Sequence, residues 1–589
     1  MFFTNSAALP GQRATYSPSG ISTLLSFSFR QAIPAHQPSF STAHIYIALI
    51  CVFIFSGLIG HDPWKADEAY VFGVIYHMSQ SFDWVVPTLA GEPFMEKPPL
   101  YYWVATGFLY LLSGWLPPHD AARLTSGFFM LITCGALGAA TRSWWGIGTG
   151  RFAALCLIAC LGTLEQSHLM MPDVALLSAF ALSALGFTKI LELPIRGGML
   201  IGAGVGMGFL SKGLIGPGVM GITALALPTL FAQWRTCEYR RGLAIAIAFC
   251  LPFCLIWPTS LYVRSPELFA EWFWVNNIGR FTGTSVAQLG TEHLPWFWSK
   301  TIPWYTFPAL PLAIFSLWKM RLTALCDIRV QYCVVAFGVL MCVLALSSSG
   351  RCVYAWPLLI PISILAAPAV CALRAKVDAL WSLLGITIFG FCSLAIWAGW
   401  ALMMLTSSPP DWPRLLRLLP ADFVPHFRPT EAMLALAVTV GAGYAWSVLR
   451  TRPGRGLAAW AIGLTLSWSL LTTLWMPWLD YAKSYRSVFS AMPIAHQVNC
   501  IASINLGEGE RAMLRYVTGY NPVRREVAPK ASCTNLLIQR EAAHGEPTID
   551  RLRWKEVWRG SRPGVTNERF WLFELEPQSL ALRTQQLVR

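Results

Sequence analysis

Two carboxylates stand side by side in the stretch WKADEAYVF, at Asp67 and Glu68, just past an apolar run that ends at Gly60. Further on, Glu96 is followed directly by Lys97 and Pro98-Pro99, Asp173 follows HLMMP, Lys212 lies within FLSKGLIG, Arg280 lies in NNIGRF, and Arg351 ends SSSGR. An ionisable group at a bilayer centre costs roughly 3 kcal/mol on insertion scales, and one at the end of a span costs less but still wants a partner. Carboxylates mixed with several cations suit transfer from a lipid-linked phosphate. The leaving phosphate needs positive charge or helix N-termini where negative charge develops, and the nucleophile needs a base. Arginine offers a bidentate fork and lysine a compact charge. Lys97 precedes a Pro-Pro pair that fits the opening of a helix, whose free N–H groups favour an anion. Structural ion pairing is the bland alternative and fits any one of these residues equally well. It fits the set less well, because Asp173 and Lys212 sit in otherwise apolar, tightly turned connections.

The elements that must position these groups follow from composition. The chain has 589 residues, 55% hydrophobic and 13% charged, the profile of a multi-spanning membrane protein and not of a soluble one. Its formal charge of +14 is spread in short Lys/Arg clusters between apolar runs instead of one basic face, which speaks for membrane topology and against nucleic acid. Most of the 15 cysteines lie in or beside apolar runs with no CxxC array, so no zinc module is implied. Runs of spanning length fall at 43–60, 121–141, 149–167, 173–191, 198–211, 213–231 and 242–262, and then at 302–318, 330–348, 353–373, 379–404, 431–449 and 457–476. Lys and Arg gather in alternate connections (Arg142 and Arg151, Lys189 and Arg196, Arg240 and Arg241, Lys319 and Arg321, Arg374 and Lys376, Arg450 and Arg452), which marks the cytoplasmic side. The alternation requires that 99–116 lie at the interface and that 198–231 be two helices broken at Ser211-Lys212-Gly213. The fold class expected is therefore an α-helical polytopic membrane protein of about 13 transmembrane helices, with interfacial helices in the first outer loop and a small C-terminal α/β domain outside. Its divisions are a disordered cytoplasmic leader at 1–42, a membrane domain at 43–476 and an outer domain at 477–589. In that tail CTNLLIQ and RFWLFELE read as strands and 508–518 as a helix. Cys500 and Cys533 are free to pair if the tail meets an oxidising compartment; otherwise they are a buried thiol and a strand residue.

With this orientation the non-topogenic charges collect on the outer face. The ordered set ADEAY, FDWVVPTLAGEPFMEKPPLYYW, MMPDVALL, GMGFLSKGLIGPG, NNIGRF and SSSGRCVYAWPLLIPI resembles the membrane glycosyltransferases of the C-type fold that take a sugar from a polyprenyl phosphate. These include lipid A aminoarabinose transferase and the protein O-mannosyltransferases, and the resemblance runs from about residue 44 to 375. It implies that Asp67 activates the acceptor, that Asp173 and Glu96 are further acidic landmarks, and that Lys97, Lys212, Arg280 and Arg351 serve the donor phosphate, with Glu68 and Tyr70 in support. Glu68 fits bracing or capping the helix 69–79 as well as reacting. The resemblance further implies an undecaprenyl phosphate donor carrying one sugar, inversion at the anomeric centre, the bacterial inner membrane and a monomer. The acceptor stays open between lipid A, another glycolipid, a polysaccharide and a protein.

Two departures matter. Tyr70 stands where the aminoarabinose branch carries Arg, and Asn276-Asn277 where it carries Glu-His. That His is associated with metal in the branch, so no cofactor is assigned and a divalent metal stays open. A lipid or sugar transporter without chemistry is the alternative function, but a transport path needs polar groups at the midplane. His61, His77, His168 and His293 read as ordinary hydrogen-bonding residues, Trp296, Trp298 and Trp304 as interfacial residues or a sugar platform, and the Gly-rich GAGVGMG as a helix-packing stripe.

Overall fold

Helices begin and end here where Pro, Gly and charged clusters interrupt apolar runs. The computed structural model describes residues 40–285, 296–410, 415, 419–494, 500–529, 532–565 and 567–576. In chain order its principal helices are α1 (Phe40–Phe55), α2 (Ala66–Ser81), α3 (Leu100–Leu112), α4 (Pro118–Trp145), α5 (Gly150–Ala159), α6 (Pro172–Lys189), α7 (Pro194–Lys212), α8 (Ile215–Leu230) and α9 (Cys237–Arg264). They continue as α10 (Phe297–Tyr305), α11 (Ala309–Met320), α12 (Ile328–Leu346), α13 (Leu359–Ala372), α14 (Ala375–Thr406), α15 (Pro429–Leu449), α16 (Arg455–Leu474), α17 (Met476–Lys483) and α18 (Glu508–Thr518). A helix thus stands at each position where a span is expected. Seven of the described helical stretches are long and apolar enough to cross a membrane by length and composition: α4, α9, α12, Cys352–Ala372, α14, α15 and α16.

Two expected spans are interrupted. The run 149–167 stops at Ala159, Cys160 turns extended, and a separate short helix follows over Leu161–Gln166. The run 302–318 is likewise divided between α10 and α11, because Pro308 has no N–H to continue the ladder. The two breaks meet, with the Leu161 N–H donating to the Phe307 carbonyl at 3.3 Å. Helix α3, at 13 residues, rises about 20 Å and falls short of the ~30 Å hydrocarbon core, in keeping with an interfacial position. Its Trp103 indole donates to the Trp84 carbonyl at 2.8 Å, pinning it to the first outer loop.

The glycine stripe packs helices. A Cβ on Gly202 would lie 2.6 Å from the Ala246 carbonyl oxygen of α9, and one on Gly204 2.6 Å from the Ala179 carbonyl oxygen of α6. Helix α7 is thereby wedged between two neighbours at backbone distance.

The C-terminal part is a five-stranded mixed sheet. Strands β1 (Thr88–Leu89) and β2 (Glu92–Pro93) form a small hairpin in the first outer loop, and the sheet uses β3 (Ile501–Ile504), β4 (Pro522–Arg524), β5 (Asn535–Glu541), β6 (Trp554–Gly560) and β7 (Glu568–Leu575). Its order is β4-β3-β5-β7-β6, with β3 parallel to both β4 and β5, and β7 antiparallel to β5 and β6. A disulfide joins Cys500 to Cys533. Helix α18 packs against α2: Tyr516 meets Phe72 edge-on at 4.8 Å, and Gly509 sits over Ala66 and Ala69. The sheet domain is docked on the helix that opens with Asp67. Of the leader expected at 1–42, residues 1–39 lie outside the described residues.

Candidate functional site

Lys212 owes its place to a break in the chain. Helix α7 ends at Lys212 and Gly213 follows with φ +68°, a left-handed conformation that glycine adopts without strain. The freed N–H of Leu214 donates to Asn277 Oδ1 at 3.2 Å, while Asn277 Nδ2 donates to the Trp272 carbonyl at 2.8 Å. Asn277 thus ties the turn to the segment Glu271–Gly279. The ammonium of Lys212 pairs with Asp173 and lies 4.3 Å from the centre of the Tyr354 ring. Asp173 itself sits in the first turn of α6 behind Pro172, where the helix dipole favours a carboxylate.

Asp67 and Glu68 both occupy the first turn of α2, yet they face different partners. Asp67 pairs with Arg351. Burial pushes the Asp67 carboxyl up, but the Arg351 hydrogen bond and charge, together with Lys97, outweigh it and hold Asp67 below the usual carboxylate range. Glu68 is buried and accepts from Arg123 Nε at 2.7 Å, and Arg123 also reaches Asp120 at 2.9 Å and the carbonyls of Leu58 and His61. Glu68 therefore braces α2 against α4.

Glu96 and Lys97, adjacent in sequence, also diverge. Glu96 accepts from Arg280 Nη1 at 2.5 Å, across 184 residues of chain. Lys97 is buried and donates to the Tyr70 hydroxyl at 2.7 Å. Burial alone would discharge Lys97; the nearby Glu96, Tyr102 and Asp173 more than reverse this and keep it an ammonium.

These groups border a cavity of about 340 Å³. Glu96, Lys97, Asp173, Lys212 and Arg280 stand in its wall with Asn277 and Tyr354, and Leu176, Phe180, Ile215, Val219 and Leu340 supply apolar lining. Asp67, Tyr70 and Arg351 are not in that wall; they adjoin it through the Tyr70–Lys97 hydrogen bond. Glu68 stands apart from it, in the Arg123 brace. Two residues of the cavity wall and one of the brace beside it are not singled out by the sequence. Asn277 was visible only as a departure from the Glu-His pattern, Tyr354 only as an aromatic three residues after Arg351, and Arg123 carried no signal.

Two of the histidines are ordinary hydrogen-bonding residues. His61 and His168 hydrogen-bond backbone carbonyls, and His293 lies outside the described residues. The Trp298 indole donates to the Leu344 carbonyl at 3.0 Å, and Trp296, Trp298 and Trp304 are not in the cavity wall.

A divalent metal does not fit the donor set. Asn277 spends its amide on backbone groups, Glu96 is engaged by Arg280, and among the described residues no group of three His, Cys, Asp or Glu side chains is placed to hold a metal ion.

Fold and site together define a polytopic membrane protein with a charged cavity between its helices and the loops that connect them. Residues 96–257 match the family model described as dolichyl-phosphate-mannose-protein mannosyltransferase. Among curated relatives, the undecaprenyl phosphate-alpha-4-amino-4-deoxy-L-arabinose arabinosyl transferase 1 of Pseudomonas fluorescens (strain Pf0-1) is 25% identical over 54% of this chain and 56% of its own. The transferase of the same description from Pseudomonas paraeruginosa is 27% identical over 72% of this chain and 73% of its own. The chain spans about half the length of several curated relatives it matches. The crystal structure of ArnT from Cupriavidus metallidurans bound to undecaprenyl phosphate superposes with a TM-score of 0.68 at 17% identity, covering 91% of this chain and 98% of that one. This chain shares that protein's fold and resembles the polyprenyl-phosphate-sugar glycosyltransferases.

Proposed function

We propose that this chain is a membrane glycosyltransferase that moves a sugar from a polyprenyl phosphate to an acceptor at the outer face of the bacterial inner membrane. The observation that carries this reading is the convergence of Lys97, Lys212 and Arg280, each met by a carboxylate or phenol, on a cavity whose remaining wall is largely apolar. Such a cavity suits a lipid phosphate with its polyprenyl chain among the helices and its headgroup against the cations. Asp67 takes the proton from the acceptor hydroxyl as that oxygen attacks the anomeric carbon; the bond from that carbon to the phosphate oxygen breaks, and the phosphate leaves as an anion. Attack from the face opposite the phosphate inverts the centre. Lys97, Lys212, Arg280 and Arg351 stabilise the charge that develops on the phosphate. Asp173 and Glu96 hold Lys212 and Arg280 until phosphate arrives, and Tyr70 positions Lys97. In this reading the enzyme works as a monomer, with the N-terminus cytoplasmic, a membrane domain to 476 and the domain from 477 periplasmic. The lipid-linked sugar in the relatives' names points to undecaprenyl phosphate as carrier, and the resemblance to lipid A aminoarabinose transferase makes a lipid A-like molecule the first acceptor to test.

The test is donor binding and turnover by the purified protein with an undecaprenyl-phosphate-linked sugar. Lys97→Met, Lys212→Met and Arg351→Met should each weaken donor binding about 10-fold or more, since each removes a charge-assisted hydrogen bond worth roughly 1.5–3 kcal/mol. Unchanged binding curves in all three variants would refute the phosphate role. Mass spectrometry of envelope glycolipids with and without the protein identifies sugar and acceptor; transport of intact donor without its cleavage would establish a flippase instead.

A further inference from the structure

Lys212 and Arg280 both stand in the cavity wall but come from separate parts of the chain, and Asn277, in the same wall, holds the backbone of each. Its side-chain Oδ1 accepts the N–H of Leu214, two residues past Lys212, at 3.2 Å, and its main-chain carbonyl accepts the N–H of Arg280. The amide is itself fixed, because Nδ2 donates to the Trp272 carbonyl at 2.8 Å. Trp272 is buried and packs edge-on against Phe209 of α7 and Trp257 of α9, with ring centres 5.9 and 4.9 Å away. Asn277 meets the turn so closely that Gly213 leaves no room for a Cβ, which would overlap Asn277 Oδ1. The far ends of both cations are held as well, Lys212 by Asp173 of α6 and Arg280 by Glu96 of the first outer loop.

A phosphate carries its charge on oxygens a fixed distance apart, so two cations serve it together only if their own spacing is fixed. A lysine at a helix break lacks that on its own. Helix α7 ends at Lys212, the chain passes through a left-handed glycine, and the four-carbon stem is flexible. Tying the Leu214 N–H to the segment that carries Arg280 joins the backbone origins of the two cations into one body. The same bond satisfies an N–H that the break would otherwise leave without an acceptor. That second effect alone would make Asn277 a stabilising residue whose loss is felt whether or not Lys212 keeps its ammonium. We propose that Asn277 is a positioning residue of the donor site, which sets the spacing of Lys212 and Arg280 so that both meet one phosphate. This rests on the phosphate-binding part of the transferase reading.

The experiment is a double-mutant cycle on the full-length purified protein, with undecaprenyl phosphate and the phosphate-free alcohol undecaprenol as probes. Asn277→Ala should weaken binding of undecaprenyl phosphate by about 5-fold or more and leave binding of undecaprenol unchanged. In the Lys212→Met background, where no ammonium remains to be placed, the same change should cost less than about 2-fold. Leu214→Pro approaches the bond from the other side: it deletes the N–H at a residue whose φ of −71° suits proline, and it keeps the test open should Asn277→Ala not fold. It should give a similar loss, and the variant carrying both Leu214→Pro and Asn277→Ala should bind no worse than either alone. Unchanged binding in both single variants, an equal loss with and without Lys212, or an equal loss on undecaprenol overturns the proposal. A wild type that binds undecaprenyl phosphate but releases no sugar from a lipid-linked donor would instead overturn the transferase reading and leave the role of Asn277 in phosphate binding intact.

Discussion

Asp67, the base of the proposed reaction, stands in the first turn of a helix and is held ionised by Arg351. Replacing it with Asn keeps the shape and removes the proton acceptor, so Asp67→Asn should lower turnover by about 10² or more while donor binding survives. The sign of its pH dependence follows from the net lowering of its pKa: burial acts upward, Arg351 and Lys97 act downward more strongly, and the carboxylate stays charged until the pH falls below the ordinary aspartate range. The acid limb of kcat/KM should therefore lie below about pH 4, with a flat profile from about pH 5 to 8 as far as this group governs it. Near-normal turnover of the variant, or an acid limb near neutrality that the variant abolishes, would remove Asp67 from this role. The charged residues around the cavity were legible in the sequence because ionisable groups are costly in an apolar chain and so stand out, whereas Arg123 of the neighbouring brace was not. Their pairing was not. Glu96 adjoins Lys97 in sequence but pairs with Arg280, and Lys97 turns to Tyr70, because the partners are brought together by helices distant in the chain. Asn277 escaped for a related reason: its function is to receive a backbone N–H at a break in another helix, and nothing in its own surroundings announces that.

At the level of elements, helix positions were legible because bilayer-length apolar runs and their punctuation are local properties. The interruptions at Cys160 and Thr306 were less so, since an apolar run does not record where two broken helices meet. The joint between membrane helices and sheet domain was not legible at all. Asp62 accepts from Arg486 at 2.6 and 2.9 Å and from Ser484 at 2.7 Å, while Asp480 in α17 accepts from the Asp62 N–H at 2.9 Å. Burial, aided by the charge of Asp62, pushes the Asp480 carboxyl up to about 6 from its ordinary 3.8. The folded protein thus holds a proton there that the unfolded chain has already lost. This contribution to stability is full below the unfolded value and is lost as the pH rises through about 6. Asp480→Asn keeps an acceptor for the Asp62 N–H and removes the titration. Its thermal midpoint relative to wild type should therefore rise by about 1 °C between pH 5 and pH 8. Thermal unfolding of both proteins at the two pH values decides it: an equal difference at both would show that Asp480 carries no buried titration.

For the whole molecule, the alternation of Lys and Arg between apolar runs and the pairing of cysteines bear on the same question, the side of the membrane on which the sheet domain lies. The thirteen cysteines from Cys51 to Cys392 are free thiols, whereas Cys500 and Cys533, in the polar tail, are bridged. A bridge persists in an oxidising compartment and is rare in the cytoplasm, so the pairing supports the proposal of an outer sheet domain, which the charge rule also favours. Closing a loop with a sequence separation of 33 residues restricts the unfolded chain by roughly 3–4 kcal/mol on the chain-entropy model, a large share of the stability of a small sheet. Both parts are open to measurement. Alkylation of the denatured, non-reduced protein followed by peptide mapping should leave Cys500 and Cys533 unlabelled and label them after reduction; labelling without reductant would count against the bridge. Leu552, 92% exposed, supplies a marker for the side. In Leu552→Cys the new thiol should react with a membrane-impermeant maleimide in intact spheroplasts. Reaction only in inside-out vesicles would place the sheet domain in the cytoplasm and turn the charged cavity, with Asp67 beside it, to the opposite face of the membrane.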